Sequence, residues 1–133
     1  MKLLYGLLFA SMTAAADVSV IVHPSNANAV DASTIEKIYT GKVKTFADGS
    51  KATPVRLSEG NPVSEEFNTK ALNKSASQLK AYWSKLIFTG KGTPPKEIDS
   101  DAEMLKLVAT NPDHIGFVAS GSVTGDVKVV FSF

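Results

Sequence analysis

Among its 133 residues this chain has no cysteine, one tryptophan and only two histidines. The missing cysteines exclude disulfides, thiolate metal sites, a thiol nucleophile and a lipid anchor on an N-terminal cysteine. The histidines, His23 and His114, are isolated and show no H-x-x-H or H-E-x-x-H spacing, so acid–base and metal chemistry have little to work with. There is no G-x-S-x-G elbow, no G-x-G-x-x-G and no Walker-type loop, which argues against hydrolase and nucleotide chemistry. The expectation is a protein that is not an enzyme and needs neither metal nor cofactor. Charge of one sign is lacking too: 14 basic residues face 13 acidic ones, so no global field draws the chain to nucleic acid or to an anionic membrane.

A membrane-spanning run is also absent. The one strongly apolar stretch, Leu3–Ala10 in "MKLLYGLLFASMTAAAD", is far shorter than the ~20 residues a spanning helix needs. With Lys2 before it and Ala14 and Ala16 ahead of Asp17, it has the secretory pattern, with cleavage expected after Ala16. Residues 1–16 are read as a signal peptide and 17–133 as a single exported, periplasmic domain. Loss of the leader removes one lysine and no acid, taking the formal charge from +1 to zero.

What remains alternates strand-like and helix-like segments. "DVSVIVHP" (17–24) reads as a strand stopped by Pro24. Ser33 with Glu36 predicts a capping box for a helix carrying Ile35, Ile38 and Tyr39 on one face, ended at Gly41. Asp48-Gly49 is a favoured hairpin dipeptide, and Pro54 places the following strand's start there or the strand at an edge. Asn61-Pro62 opens a second helix, with Val63, Phe67 and Ala71 on one face. Ser75 with Gln78 opens a third, whose Leu79, Tyr82, Trp83 and Leu86 form a core stripe. After the turn-rich "KGTPPKEI", Ser100 with Glu103 opens a fourth helix carrying Met104, Leu107 and Val108. "HIGFVAS" and "VKVVFSF" close the chain as strands. The fold class is α/β: about four strands and four helices in three layers, with helices on both faces of a mostly parallel sheet that the hairpin makes mixed.

One stretch carries candidate chemistry, "VRLSEGNPVSEEF" (55–67). Arg56 ends a strand with a planar fork of donors suited to an oxyanion. Ser58 adds a hydroxyl, Gly60 lets backbone approach, and the helix capped by Asn61 offers the N–H groups of Val63 and Ser64. Against this, Pro62 deletes a donor, and Glu59, Glu65 and Glu66 put negative charge where an anion would sit. A like-charge pair at 4 Å costs about 1 kcal/mol in water and about 4 kcal/mol at an effective dielectric of 20. The residues alone leave two readings open: an oxyanion site, or a surface ion pair between Arg56 and one of the glutamates.

Three segments carry a family likeness: "STIEKIYTGKVKTFADGSKATPVRL", "AYWSKLIFTGKGTPP" and "NPDHIGFV". In order and spacing they resemble the periplasmic phosphate-binding proteins of ABC transporters, and more closely the short, phosphate-binding-like relatives of the type 2 periplasmic-binding-protein class. The resemblance implies the fold of one lobe of such a protein. It also implies that Arg56 matches the family's phosphate-binding arginine. The family's aspartate falls on Ser58, and its Ser-Gly-Thr donors fall on Gly60, Asn61 and Pro62. The site expected from residues and resemblance together is Arg56, Ser58, Gly60, Asn61, Val63 and Ser64, in a one-sided cleft holding phosphate or a similar small oxyanion weakly. The alternative is a periplasmic accessory module that docks a protein partner and binds no small ligand. Homodimerisation would supply the missing wall.

Overall fold

Residues 17–133 are described by a computed structural model, and the leader assigned to residues 1–16 lies outside them. Five strands form one sheet in the order β3-β2-β4-β1-β5: β1 (Val18–Val22), β2 (Thr53–Leu57), β3 (Lys96–Ile98), β4 (His114–Ala119) and β5 (Lys128–Ser132). β2 runs parallel to both β3 and β4, whereas β1 is antiparallel to both β4 and β5. The sheet is therefore mixed, but not through the expected hairpin. The Asp48-Gly49 turn does form, with Gly49 at φ +87°, yet it closes only a single bridge between Thr45 and Lys51. It is β1, between β4 and β5, that reverses direction. Pro54 sits where expected, near the start of β2, and pairs with Ile115 of β4 before β3 joins the other side.

Four α-helices flank the sheet: α1 (Ala32–Tyr39), α2 (Pro62–Phe67), α3 (Ala76–Phe88) and α4 (Asp101–Thr110). Alternation along β4 shows how the layers form, because successive strand residues point to opposite faces. On one face a Cβ added to Gly116 would lie 2.5 Å from Met104 Sδ and 3.1 Å from Val108 Cγ2, so glycine is what lets α4 lie this close. On the other face Phe117 stacks on Phe67 of α2 at 3.9 Å between ring centroids, with Tyr39 of α1 edge-on to Phe67. Tyr39 Oη shares its proton between the carbonyls of Val55 and Ile115, joining α1 to β2 and β4. Burial pushes the Tyr39 phenol far above its ordinary range, so it stays a neutral donor.

The helix starts differ from expectation at α1, and at α4 the capping box is formed on one side alone. Asn61 caps α2, Ser75 and Gln78 form the reciprocal capping box of α3, and the Ser100 side chain accepts from the Glu103 N–H. α1, however, is capped by Asp31, which accepts from the Thr34 N–H at 2.8 Å, two residues before the proposed Ser33. The α3 stripe is narrower than expected. Leu79 and Trp83 are buried, while Leu86 and Tyr82 are half-buried, and the Tyr82 hydroxyl donates to the Thr40 carbonyl.

Candidate functional site

α2 does not end at Phe67 but runs on as a π-helical turn, Asn68–Leu72, closed by Asn73 in the left-handed region at φ 54°. This continuation positions the site. Ser64 and Asn68 lie four residues apart and so project from one side of the helix. Arg56 lies two residues beyond Pro54, and Phe117 two beyond Pro54's partner Ile115, so both leave the sheet on the α2 side. The Arg56 guanidinium meets that helix. Its Nη2 donates to Ser64 Oγ at 2.7 Å and to Asn68 Oδ1 at 2.6 Å, and Ser64 Oγ in turn donates to the Leu57 carbonyl at 2.9 Å.

Arg56 is only 8% exposed. No carboxylate lies within ion-pairing distance of it among the described residues, where the ion pairs are Lys70–Glu66 at 2.9 Å and His114–Asp113 at 2.7 Å. The surface pair with a glutamate, one of the two readings the residues left open, is therefore not formed. Burial lowers the Arg56 pKa, and the negative charges of Glu97 and Glu59 pull it partly back; the guanidinium remains protonated at any relevant pH. Only the two Nη2 protons are committed to described partners, which leaves the Nε–H and the Nη1 donors without one.

Arg56 lines a cavity of about 250 Å³. Asn68 lines it beside the arginine, and Leu79, Trp83, Ile87, Pro94 and Pro95 supply an apolar wall. Glu59, Glu97 and Lys80 bring exposed charges to it. Trp83 is set in this wall by two close glycines: a Cβ on Gly41 or on Gly92 would lie 3.2 or 3.4 Å from the indole.

The six residues expected at the site divide. Arg56 and Ser64 are brought together, with Ser64 holding the arginine. The Ser58 hydroxyl turns instead to Asp99 Oδ1 at 2.9 Å and to the Ile98 carbonyl, tying the loop to the end of β3. Gly60 takes φ +92°, a turn role in open space. Asn61 Oδ1 accepts the Val63 N–H at 2.9 Å, so that donor is spent on the helix cap and does not converge with Arg56 on an open point. Asn68, Trp83 and Glu97 were missed as site residues. The spacing of Ser64 and Asn68 was a usable signal for the first. Trp83 was assigned to the core, and Glu97 lay in a segment read as connector. Among the described residues no group of three or more His, Asp or Glu side chains could hold a metal ion.

No protein-family model matches the sequence, and a search of characterised proteins finds no match. Solved structures do match. An ABC-type phosphate transport receptor from Vibrio cholerae aligns with TM-score 0.68 and 18% identity, over 86% of this chain and 46% of its own. A Clostridium perfringens protein assigned as a phosphate ABC transporter substrate-binding protein, solved with phosphate bound, aligns with TM-score 0.67 and 20% identity over 86% and 45%. PstS from Borrelia burgdorferi follows at 0.59 and 13%, over 80% and 42%. This is the fold of one lobe of a periplasmic binding protein. The chain spans less than half the length of these receptors, and identities this low establish the lobe's fold alone. Among the described residues no helix of the lobe is long and apolar enough to cross a membrane.

Proposed function

We propose that this chain is an exported, non-enzymatic solute-binding-like protein of the periplasm. In this reading it holds a small, phosphate-like oxyanion weakly on the uncommitted edge of Arg56. One observation carries the proposal: a buried guanidinium, braced by Ser64 and Asn68 but facing no carboxylate partner among the described residues, lines a cavity. A buried charge without a partner is costly, and a bound oxyanion relieves that cost with bidentate geometry. The fold shared with phosphate receptors supports the same reading. Ser58, Gly60 and Asn61 enter it as the turn and cap that set the entry to α2, and Val63 and Ser64 as its first turn.

Calorimetry tests the anion. Phosphate or sulfate should bind on the order of millimolar, about −4 kcal/mol. Arg56→Lys should weaken this, because a point charge cannot copy the planar fork, and Glu59→Gln should strengthen it by removing a repulsive charge from the cavity. An absence of heat in both wild type and Glu59→Gln would transfer the case to the docking-module reading. That reading has one observation of its own: Ile87, which lines the cavity, is 53% exposed, and Phe88 next to it in the chain is 91% exposed. Export is tested separately by the intact mass of protein recovered from the periplasm. It should correspond to an N-terminus at Asp17, and retention of Met1 would refute it.

A further inference from the structure

The cavity carries charges of both signs on a mainly apolar wall. Arg56 and Lys80 are balanced by Glu59 and Glu97, so the lining gives no net field that favours a dianion. A lone anion there gains Arg56 and Lys80 and is opposed by Glu59 and Glu97, while a lone cation meets the reverse.

Arg56 and Glu97 are register partners on the adjacent parallel strands β2 and β3. Their side chains therefore leave the same face of the sheet, one inter-strand step of about 4.8 Å apart. Both line the cavity, yet they form no ion pair with each other. Among the described residues the Glu97 carboxylate accepts only a long 3.4 Å bond from the Glu59 N–H. A donor edge and an acceptor group thus stand side by side with capacity unspent. Beside them lies apolar surface from Leu79, Trp83 and Ile87. The volume of about 250 Å³ falls below the roughly 300–1,000 Å³ typical of clefts for drug-sized ligands, so the occupant is small.

Building on the reading of Arg56 as an oxyanion anchor, we propose that the bound oxyanion group is the carboxylate of a small apolar α-amino acid. Its ammonium group pairs with Glu97 and its side chain lies against Trp83 and Leu79. A zwitterion answers both charges at once, and an apolar side chain of the leucine or phenylalanine type displaces water from the remaining wall.

The test is calorimetric titration of the purified protein with four probes: L-phenylalanine, 3-phenylpropanoate, which lacks the ammonium, 2-phenylethylamine, which lacks the carboxylate, and inorganic phosphate. Phenylalanine should bind about tenfold or more tightly than any of the others, the factor expected for one charge-assisted hydrogen bond. Glu97→Gln should lower phenylalanine affinity by about tenfold while 3-phenylpropanoate binds as well as before or better. Glu97 is an exposed edge-strand residue, so this variant remains informative if Arg56→Lys fails to fold. Phosphate or 3-phenylpropanoate binding as tightly as phenylalanine would overturn the zwitterion and leave Arg56 as an oxyanion anchor. Phenylethylamine binding as tightly as phenylalanine, or no binding by any probe, would overturn both.

Discussion

At the scale of single residues, the molecule spends two polar side chains on holding one cation. Ser64 is fully buried and Asn68 nearly so, and both turn their oxygens to the same Arg56 nitrogen. Neither brings a formal charge, so the guanidinium is fixed in place without being neutralised. The arrangement fits a binding residue better than a structural ion pair, which would have used Glu59 or Glu97. Ser64→Ala should lower unfolding free energy by about 1.5–3 kcal/mol, the worth of a buried hydrogen bond to a charged group, and should weaken anion binding as Arg56 loses a brace. Denaturant melting checks the first part, and a loss below about 0.5 kcal/mol, the lower end for any hydrogen bond, would mean Arg56 is held by other means. Arg56 was legible in the sequence because it stands at the end of an apolar run, just before an Asn-Pro helix start. Glu97 was not legible beside it, since its position depends on which strands become neighbours.

At the scale of elements, local chemistry decided most helix starts, and α1 shows where it misleads. Ser33-x-x-Glu36 satisfies the capping-box pattern, but Asp31 two residues earlier also offers a side-chain oxygen and takes the Thr34 N–H. The earlier cap wins, adding helical residues at the start of α1. The Thr34 donors, side-chain and backbone, hold the Asp31 carboxyl below its ordinary range. A carboxylate whose pKa is depressed on folding contributes stability that is complete above its unfolded value and is lost as pH falls through the folded one. Asp31→Ala should therefore lower the melting temperature at neutral pH and flatten its acid dependence, whereas Ser33→Ala should leave both nearly unchanged. Thermal melts of the two variants across the acid range check this; equal effects would return the cap to Ser33. β3 escaped the sequence reading for a different reason. Three residues, two of them charged and exposed, carry no alternation to detect, and the strand exists because β2 presents an edge to it. The π turn after α2 has no sequence signature either, beyond Asn73, whose left-handed conformation stops it.

At the scale of the whole molecule, the alternation of strands and capped helices was enough to read an α/β lobe with helices on both faces, and Phe67, Phe117, Leu79 and Trp83 are in its core. Strand direction was not readable. β1 is buried along its whole length, and a continuous apolar strand satisfies parallel and antiparallel neighbours alike. Its reversal between β4 and β5 depends on long-range pairing, with the two ends of the described chain meeting where Val18 and Phe133 exchange hydrogen bonds. The lobe's functional claim rests on Arg56 and can be observed at that residue directly. In a ¹⁵N–¹H correlation spectrum the Arg56 Nε–H, assigned by its loss in Arg56→Lys, should shift progressively and saturably as phosphate or phenylalanine is titrated to tens of millimolar. The same resonance standing still through both titrations would contradict the account, since the uncommitted edge of the guanidinium would then be holding nothing.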